Sequence, residues 1–459
     1  MVKKMKDKNS GLNRRSFLKT AGVATAGSLL INSLSPASAG FATGKKMRLA
    51  IVGTGIRGIG MWGISVARNY SDQVEFVGLC DINPGRVETA KNSIGVNCPT
   101  FVNFEEMVEK TKPDTIVVTT VDATHHEFIV KGMEMGCDII TEKPMTTDEI
   151  KCQSILDTER ITGKKVIVTF NYRYSPHRGK IKELLMQERI GRVTSVDFHW
   201  YLDIDHGASY FRRWHRLREK SGTLLVHKAS HHFDLLNWWL DSDPVEVFAF
   251  GDLEFYGKNH EFRAINCRPC PHKEICQFYW DITKDEHMMR LYVDNEKYDG
   301  YLRDGCVWKE DIDIFDKMAA TIKYANNVQV SYSLTAYSPY EGYRIAFNGT
   351  RGRLEAWIHE SQPWPAEDYD EIRVTDNFGD THLIQIPHGG GGHGGGDTRL
   401  KDKIFKDPSM EDPLKQAAGT RDGAFSILIG IAARKSIDTG NPVKIASITD
   451  LKPQPVRPA

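Results

Sequence analysis

Met47-Arg48-Leu49-Ala50-Ile51-Val52-Gly53-Thr54-Gly55-Ile56-Arg57-Gly58 is an apolar, partly β-branched run that delivers a glycine-rich turn into a helical pattern. Gly-x-Gly-x-x-Gly is common in isolation. Directly after a buried strand, however, it lets bare backbone approach a pyrophosphate while helix N–H groups face the anion. Gly53, Gly55, Ile56, Arg57 and Gly58 are therefore candidate dinucleotide-binding positions. Further apolar runs follow at Val74 to Cys80, Thr115 to Thr119, Cys137 to Thr141 and Lys165 to Phe170. Helical patterns lie between them, one of them opening with Thr124 and Glu127 at capping-box spacing. Strands alternating with helices predict a doubly wound parallel sheet, a Rossmann domain over residues 45–170.

Asp81 closes the second run, where a carboxylate accepts hydrogen bonds from both adenosine ribose hydroxyls and repels a 2′-phosphate. NAD is the expected cofactor. NADP stays open, because Arg57 and Arg86 could meet that phosphate.

After Asn171 the texture changes. Thr194 to Trp200 and Val328 to Ser333 alternate like half-exposed antiparallel strands, so residues 171–459 are expected to form a larger α+β domain on an open, mostly antiparallel sheet. Gly389 to Gly396, interrupted by His393, reads as a surface or lid loop, and Asp422 to Ala433 as an apolar helix. An open sheet face could pair two subunits, and a homo-oligomer is expected.

A length of 459 residues suits two domains. Lys plus Arg and Asp plus Glu both count 60, so no overall field draws nucleic acid or an acidic membrane surface, and a small neutral ligand fits better. At the N-terminus, Asn13-Arg14-Arg15-Ser16-Phe17-Leu18-Lys19, the apolar Ala21 to Leu34 and Ala37-Ser38-Ala39 resemble a twin-arginine export signal, residues 1–39, cleaved after Ala39. Its apolar stretch is too short to span roughly 30 Å of hydrocarbon, so no stable membrane insertion after processing is expected. The expected location is periplasmic or otherwise exported.

Glu142-Lys143-Pro144 follows a strand end, the edge at which open α/β sheets bind ligands, and a lysine there could orient a hydroxyl as hydride leaves. Cys267-x2-Cys270-x5-Cys276, with Cys306, lies in a polar insertion at 266–306. Four thiolates could close a tetrahedral structural zinc site, with His272 as an alternative ligand. Disulfides would suit an oxidising compartment, and free thiols are the third reading. Cys80, Cys98, Cys137 and Cys152 read as small buried apolar residues.

The glycine loop, Asp81, Thr119 to His125, Glu142-Lys143-Pro144, Asn171-Tyr172-Arg173-Tyr174-Ser175-Pro176 and Gly222 to Asp234 stand in the order and spacing of the Gfo/Idh/MocA oxidoreductases. The chain resembles that family over essentially its whole length beyond the signal. The resemblance implies a nicotinamide-dependent oxidoreductase, with Thr120, His125, Glu142 and Lys143 joining the glycine loop and Asp81 around the cofactor. It also implies Lys143 and His231 as catalytic residues, with Asp234 as structural companion. His227 stands where the family pattern has an acidic residue, four positions before His231; an imidazole there could bind a hydroxyl or relay a proton. His232 reads as a core histidine.

For the substrate, Arg173, Tyr210, Trp214, Tyr340 and His393 are the candidates, supplying stacking faces and donors suited to a sugar or glycoside. Core packing is the other reading of Tyr210 to Trp214 and of Trp238-Trp239. Glu341 and Asp397 are candidate acid/base groups in loops. The expected activity is hydride transfer to or from a secondary hydroxyl with NAD held tightly, because an exported enzyme meets little free NAD. Redox-neutral glycoside cleavage through a 3-keto intermediate, known among relatives that the chain resembles, is the alternative. A non-catalytic carbohydrate-binding protein is a second one, against which Lys143 and His231 argue.

Overall fold

The computed structural model describes residues 45–458, so the export signal expected at 1–39 lies outside the described residues. Six strands form the first sheet: β1 (Met47–Val52), β2 (Val74–Cys80), β3 (Thr100–Phe101), β4 (Thr115–Val118), β5 (Asp138–Thr141) and β6 (Val166–Val168). Their order is β3-β2-β1-β4-β5-β6, and every neighbouring pair is parallel. Leu49 to Ile51 and Ile116 to Val118 are fully buried, as a sheet covered by helices on both faces requires. The chain leaves β1 in one direction and returns beside it at β4, so the carboxyl ends of these two strands flank the crevice where such sheets bind ligands.

Two glycines make the first turn possible. Gly53 has φ +89°, and a Cβ on it would stand 2.6 Å from the Thr119–Thr120 peptide; one on Gly58 would stand 2.3 Å from the Gly53 carbonyl oxygen. The helix that opens there begins as a wide π-type turn, Gly58–Ile64, and narrows to α over Ser65–Asn69. Thr124 does precede a helix, His125–Glu134, but its hydroxyl donates backwards to Thr120 Oγ1 and the Val121 carbonyl, so the expected capping box does not form.

The second sheet has nine strands: β7 (Val193–Asp203), β8 (Pro244–Asp252), β9 (Lys317–Tyr324), β10 (Gln329–Ser338), β11 (Glu341–Gly349), β12 (Gly352–Ser361), β13 (Tyr369–Asp376), β14 (Thr381–Pro387) and β15 (Val443–Lys444). Their order is β14-β13-β12-β11-β7-β10-β9-β8-β15. All pairs are antiparallel except β7 with β10, the two runs that alternate most clearly in sequence. Alternation reports that one face is buried; it carries no information on strand direction. Val196, Phe198, Trp200 and Leu202 of β7 point inward, where Phe198 meets Trp239 and His232 of helix Ala229–Leu240. Trp238 and Trp239 are core residues.

Helix Thr420–Thr439 joins the two halves. It packs on β8 and on helix Ala229–Leu240, while a Cβ on its Gly423 would press on Val168 of β6 and on Met145. Among the described residues no helix is long and apolar enough to cross a membrane.

Candidate functional site

At the carboxyl end of β2, Asp81 is buried and engaged by the turn it faces. Its Oδ2 accepts from Thr54 N at 2.7 Å and Thr54 Oγ1 at 3.1 Å, and its Oδ1 from Asn83 N at 2.9 Å. Arg86 stands 3.4 Å from Oδ1 and also pairs with Asp299. Arg57 donates through Nε to Glu142 Oε1 at 2.7 Å, and Trp62 Nε1 donates to the same oxygen at 2.8 Å. Glu142 thereby ties the loop after β5 to the glycine turn. His125 spans the Pro144 carbonyl at 2.8 Å and the Thr120 carbonyl at 3.1 Å. Burial lowers its pKa, and the neutral ring can donate to only one of them at a time. The chemistry of this end fits a dinucleotide: glycine backbone without side chains, a helix opening toward it, and a carboxylate at the strand end.

At the other end, Lys143 follows β5 and donates through Nζ to the His227 carbonyl at 3.1 Å. Burial pulls its pKa down to about 8, against the opposing charges of Asp122 and Glu142. Asp122, just after β4, places Oδ2 2.5 Å from Nδ1 of His227. Burial raises the Asp122 carboxyl well above the usual range and lowers His227 well below its own, so the uncharged form of each is favoured. His231 lies flat on Tyr172, ring centres 4.1 Å apart, with its Nδ1 buried and without a hydrogen-bond partner among the described residues. Burial, then the Lys143 charge, lowers its pKa well below the imidazole value.

Lys228 is a second buried cation with the opposite tendency. Burial works against its ammonium, but the Tyr172 and Tyr210 hydroxyls and the Glu341 and Glu360 carboxylates outweigh that, and its pKa is raised. Glu341 Oε1 stands 3.6 Å from it, and His206 links Glu341 at 2.7 Å to the Tyr210 hydroxyl at 2.9 Å. Environments that push two lysines apart separate a proton-exchanging group from a fixed charge.

The substrate candidates divide. Trp214, His215, His227 and Tyr210 form one aromatic cluster, with His215 4.2 Å from His227 and Tyr210 5.2 Å from it, centre to centre. His393 sits 6.4 Å from His231, held by Asn171 and Asp397 at 3.0 Å each. The glycine-rich loop is thus docked on one side: a Cβ on Gly396 would lie 2.3 Å from the Asn171 carbonyl oxygen. Arg173 instead is 1% exposed and committed through Nε and Nη2 to Asp234 and Asp422 and through Nη1 to the Lys415 and Ala417 carbonyls, so no donor is left for a ligand. Tyr340 packs with Tyr201, Trp357, His359 and Trp364. Asp122 and Lys228 are the site residues that sequence reading missed; both lie inside quoted motifs, at Thr119 to His125 and beside His227.

The model of the oxidoreductase family's NAD-binding Rossmann fold matches residues 47–170, and that of its C-terminal alpha/beta domain matches residues 182–445. The YteT protein of Bacillus subtilis (strain 168), which carries an oxidoreductase name, is 38% identical over 427 residues, 88% of this chain and 99% of the relative. The chain belongs to the Gfo/Idh/MocA oxidoreductase family. Within the family it is related to the inositol 2-dehydrogenase/D-chiro-inositol 3-dehydrogenase of Lactiplantibacillus plantarum, at 22% identity over 43% of this chain and 54% of the relative. The chain therefore aligns with only about half the length of that relative. The fold is shared with the WlbA dehydrogenase of Bordetella pertussis, solved with NADH and UDP-GlcNAcA, at TM-score 0.60 and 16% identity over 87% of this chain and 99% of that one. It is shared too with the aldose-aldose oxidoreductase of Caulobacter crescentus, complexed with glycerol, at TM-score 0.59 and 14% identity over 87% and 100%. Like its family, the chain is an NAD(P)-binding oxidoreductase.

The family's two-domain frame accommodates the cysteine insertion without a metal centre. Cys267, Cys270, Cys276 and Cys306 line one cavity of about 10 Å³, but all eight cysteines are free, and among the described residues no group of three or more His, Cys, Asp or Glu is disposed to hold a metal ion. The zinc expectation is corrected accordingly. The Arg212 guanidinium donates to Cys267 Sγ at 3.1 Å, and Phe262, Phe278 and Trp308 are among the other residues that line the cavity. Cys80, Cys98, Cys137 and Cys152 are buried in the Rossmann half.

Proposed function

We propose that this chain is a sugar or glycoside oxidoreductase that moves hydride between a secondary hydroxyl and a resident NAD. One observation supports the reading above others: Lys143, half-buried at the carboxyl end of β5 with its pKa pulled to about 8, is bonded to His227 of the other domain. Gly53, Gly55, Gly58 and Asp81 would hold the dinucleotide, which when bound supplies the hydride acceptor or donor.

The chain's own residues do the rest. Lys143 donates to the substrate oxygen and orients the carbinol. His231 takes the hydroxyl proton while the C–H electron pair leaves as hydride, so that a carbonyl remains; reduction runs the same steps backwards. In place of the acidic residue that the family pattern has four residues before His231, Asp122 brings a carboxyl group to the site through His227. Pinned at Nδ1, His227 keeps Nε2 for the substrate, and Lys228 adds a fixed positive charge.

The His227–Asp122 pair also favours a second reading, redox-neutral glycoside cleavage. Once C3 is a ketone, the C2 proton is acidic, and a second base can remove it as the anomeric group departs with a proton; water then adds at C1 and the hydride returns to C3, so one imidazole would serve oxidation and its reversal and the other elimination. The signal-like N-terminus motivates the resident cofactor, because a periplasmic enzyme must close its own redox cycle. A homo-oligomer acting on a small-molecule sugar or glycoside, without nucleic acid, completes the proposal.

Native mass spectrometry of the purified protein reports cofactor and oligomer together. Incubation with aryl glycosides then separates the readings: 3-keto sugar without aglycone supports net oxidation, and aglycone release supports cleavage. A protein that acquires no nicotinamide when NAD is added overturns both.

A further inference from the structure

Residues 286–301 belong by sequence to the insertion between β8 and β9, yet they pack on the Rossmann domain. Leu291 and Tyr292 are buried in the same apolar cluster as Leu49, Ile51, Ile59 and Trp62. The Tyr292 hydroxyl accepts from Ile56 N, in the glycine turn, at 3.3 Å. Asn83, fully buried after β2, donates through Nδ2 to the Asn295 carbonyl at 2.9 Å. Gly85 is the point of closest approach: a Cβ there would lie 1.8 Å from Asn295 Oδ1. Asp299 pairs with Arg86, whose other partner is Asp81.

Two carboxylates therefore share one guanidinium at the β2 end. Asp81, Arg86 and Asp299 sum to one negative charge, and Arg86, the cation best placed to meet a 2′-phosphate, is held between two acids. All three side chains are no more than about a fifth exposed, so solvent screens them weakly. No protein group outside the insertion stands where Asp299 does.

We infer that residues 286–301 form the outer wall of the adenosine end of the dinucleotide site, and that Asp299 is a specificity-determining residue that, with Asp81, sets this site against a 2′-phosphate. The inference rests on the dinucleotide reading above and adds to it. The wall bridges the glycine turn and the β2 turn, so a bound adenosine leaves only when the contacts of Tyr292, Asn295 and Asp299 part. Retention and selectivity then come from the same segment.

Binding and release of NADH and NADPH, followed by fluorescence transfer from protein to nicotinamide on the full chain, test both parts. Asp299→Asn frees Arg86 from one acid and is expected to shift the NADPH-to-NADH affinity ratio upward about tenfold. Gly85→Ala should leave the Rossmann helix intact, since alanine is the better helix residue, but pushes Asn295 away; NADH release is expected to quicken about tenfold. Far-UV circular dichroism and an unchanged melting temperature establish that each variant folds. NADH binding with the affinity ratio unmoved in Asp299→Asn and release unmoved in Gly85→Ala overturns the wall while leaving the dinucleotide reading standing. A wild-type chain that binds neither nucleotide overturns both.

Discussion

Asp122 and His227 meet at 2.5 Å although 105 residues separate them, one on the loop after β4 of the Rossmann domain and the other at the end of the short helix Leu224–His227. The carboxyl group and the imidazole of the candidate relay therefore come from different domains. Their contact forms only when the domains are docked.

Asp122→Asn should lower kcat about 100-fold with NADH affinity unchanged, because the amide keeps the volume but cannot exchange a proton with His227 Nδ1 as the carboxyl group can. Steady-state kinetics beside a fluorescence titration checks this. A kcat within twofold of wild type would remove the pair from the mechanism.

Lys143 gives the pH dependence its sign. Its pKa is lowered from 10.5 to about 8 in the folded chain, so between about pH 8 and 10.5 the unfolded chain binds the extra proton. Stability from this group then rises with pH across that window and is least below it. Lys143→Met should melt higher than wild type at pH 7 and approach it near pH 10, while losing at least ~100-fold in turnover. A constant difference in melting temperature across that range would contradict the assignment.

Lys228 and Glu341 form a buried pair, 4% and 6% exposed. Glu341→Gln removes the carboxylate nearest the ammonium and leaves Glu360 and the Tyr172 and Tyr210 hydroxyls to compensate it, so it should destabilise the protein by about 1 to 3 kcal/mol, whereas Lys228→Met combined with Glu341→Gln should recover much of that. Urea denaturation of both single variants and the double variant measures the coupling.

Arg173 should behave as a structural residue. Arg173→Ala strands Asp234, while Asp422 keeps Arg457, and is expected to cost about 3 to 5 kcal/mol, and Arg173→Lys to restore little, since a point charge cannot reproduce the forked contact with Asp234. KM for substrate, measured at a temperature where the variant remains folded, should stay unchanged.

The Rossmann half was legible because its signals are local: β-branched runs, turn glycines and a carboxylate at a strand end lie within a few residues of one another. Arg173 was misjudged for the opposite reason. Nothing adjacent to it in sequence tells a buried, doubly paired guanidinium from one offered to a ligand; Asp422, which decides the matter, stands far down the chain. The parallel pairing of β7 with β10 was hidden likewise, because periodicity carries facing without direction. Asp122 sat in plain view inside a motif, and its role depended on a partner in the other domain.

Helix Thr420–Thr439 contributes the fully buried Ala424, Phe425, Ile427, Leu428, Ile429, Ile431, Ala432 and Ala433 to the core. Synthesis reaches this helix after every strand of both sheets except β15. Until it emerges, the apolar surface that it covers and the Arg173 cluster, to which it contributes Asp422, remain open. A nascent chain that has not reached Thr420 carries every residue of the Lys143 site but lacks the helix that packs on Leu224–His227 and Ala229–Leu240.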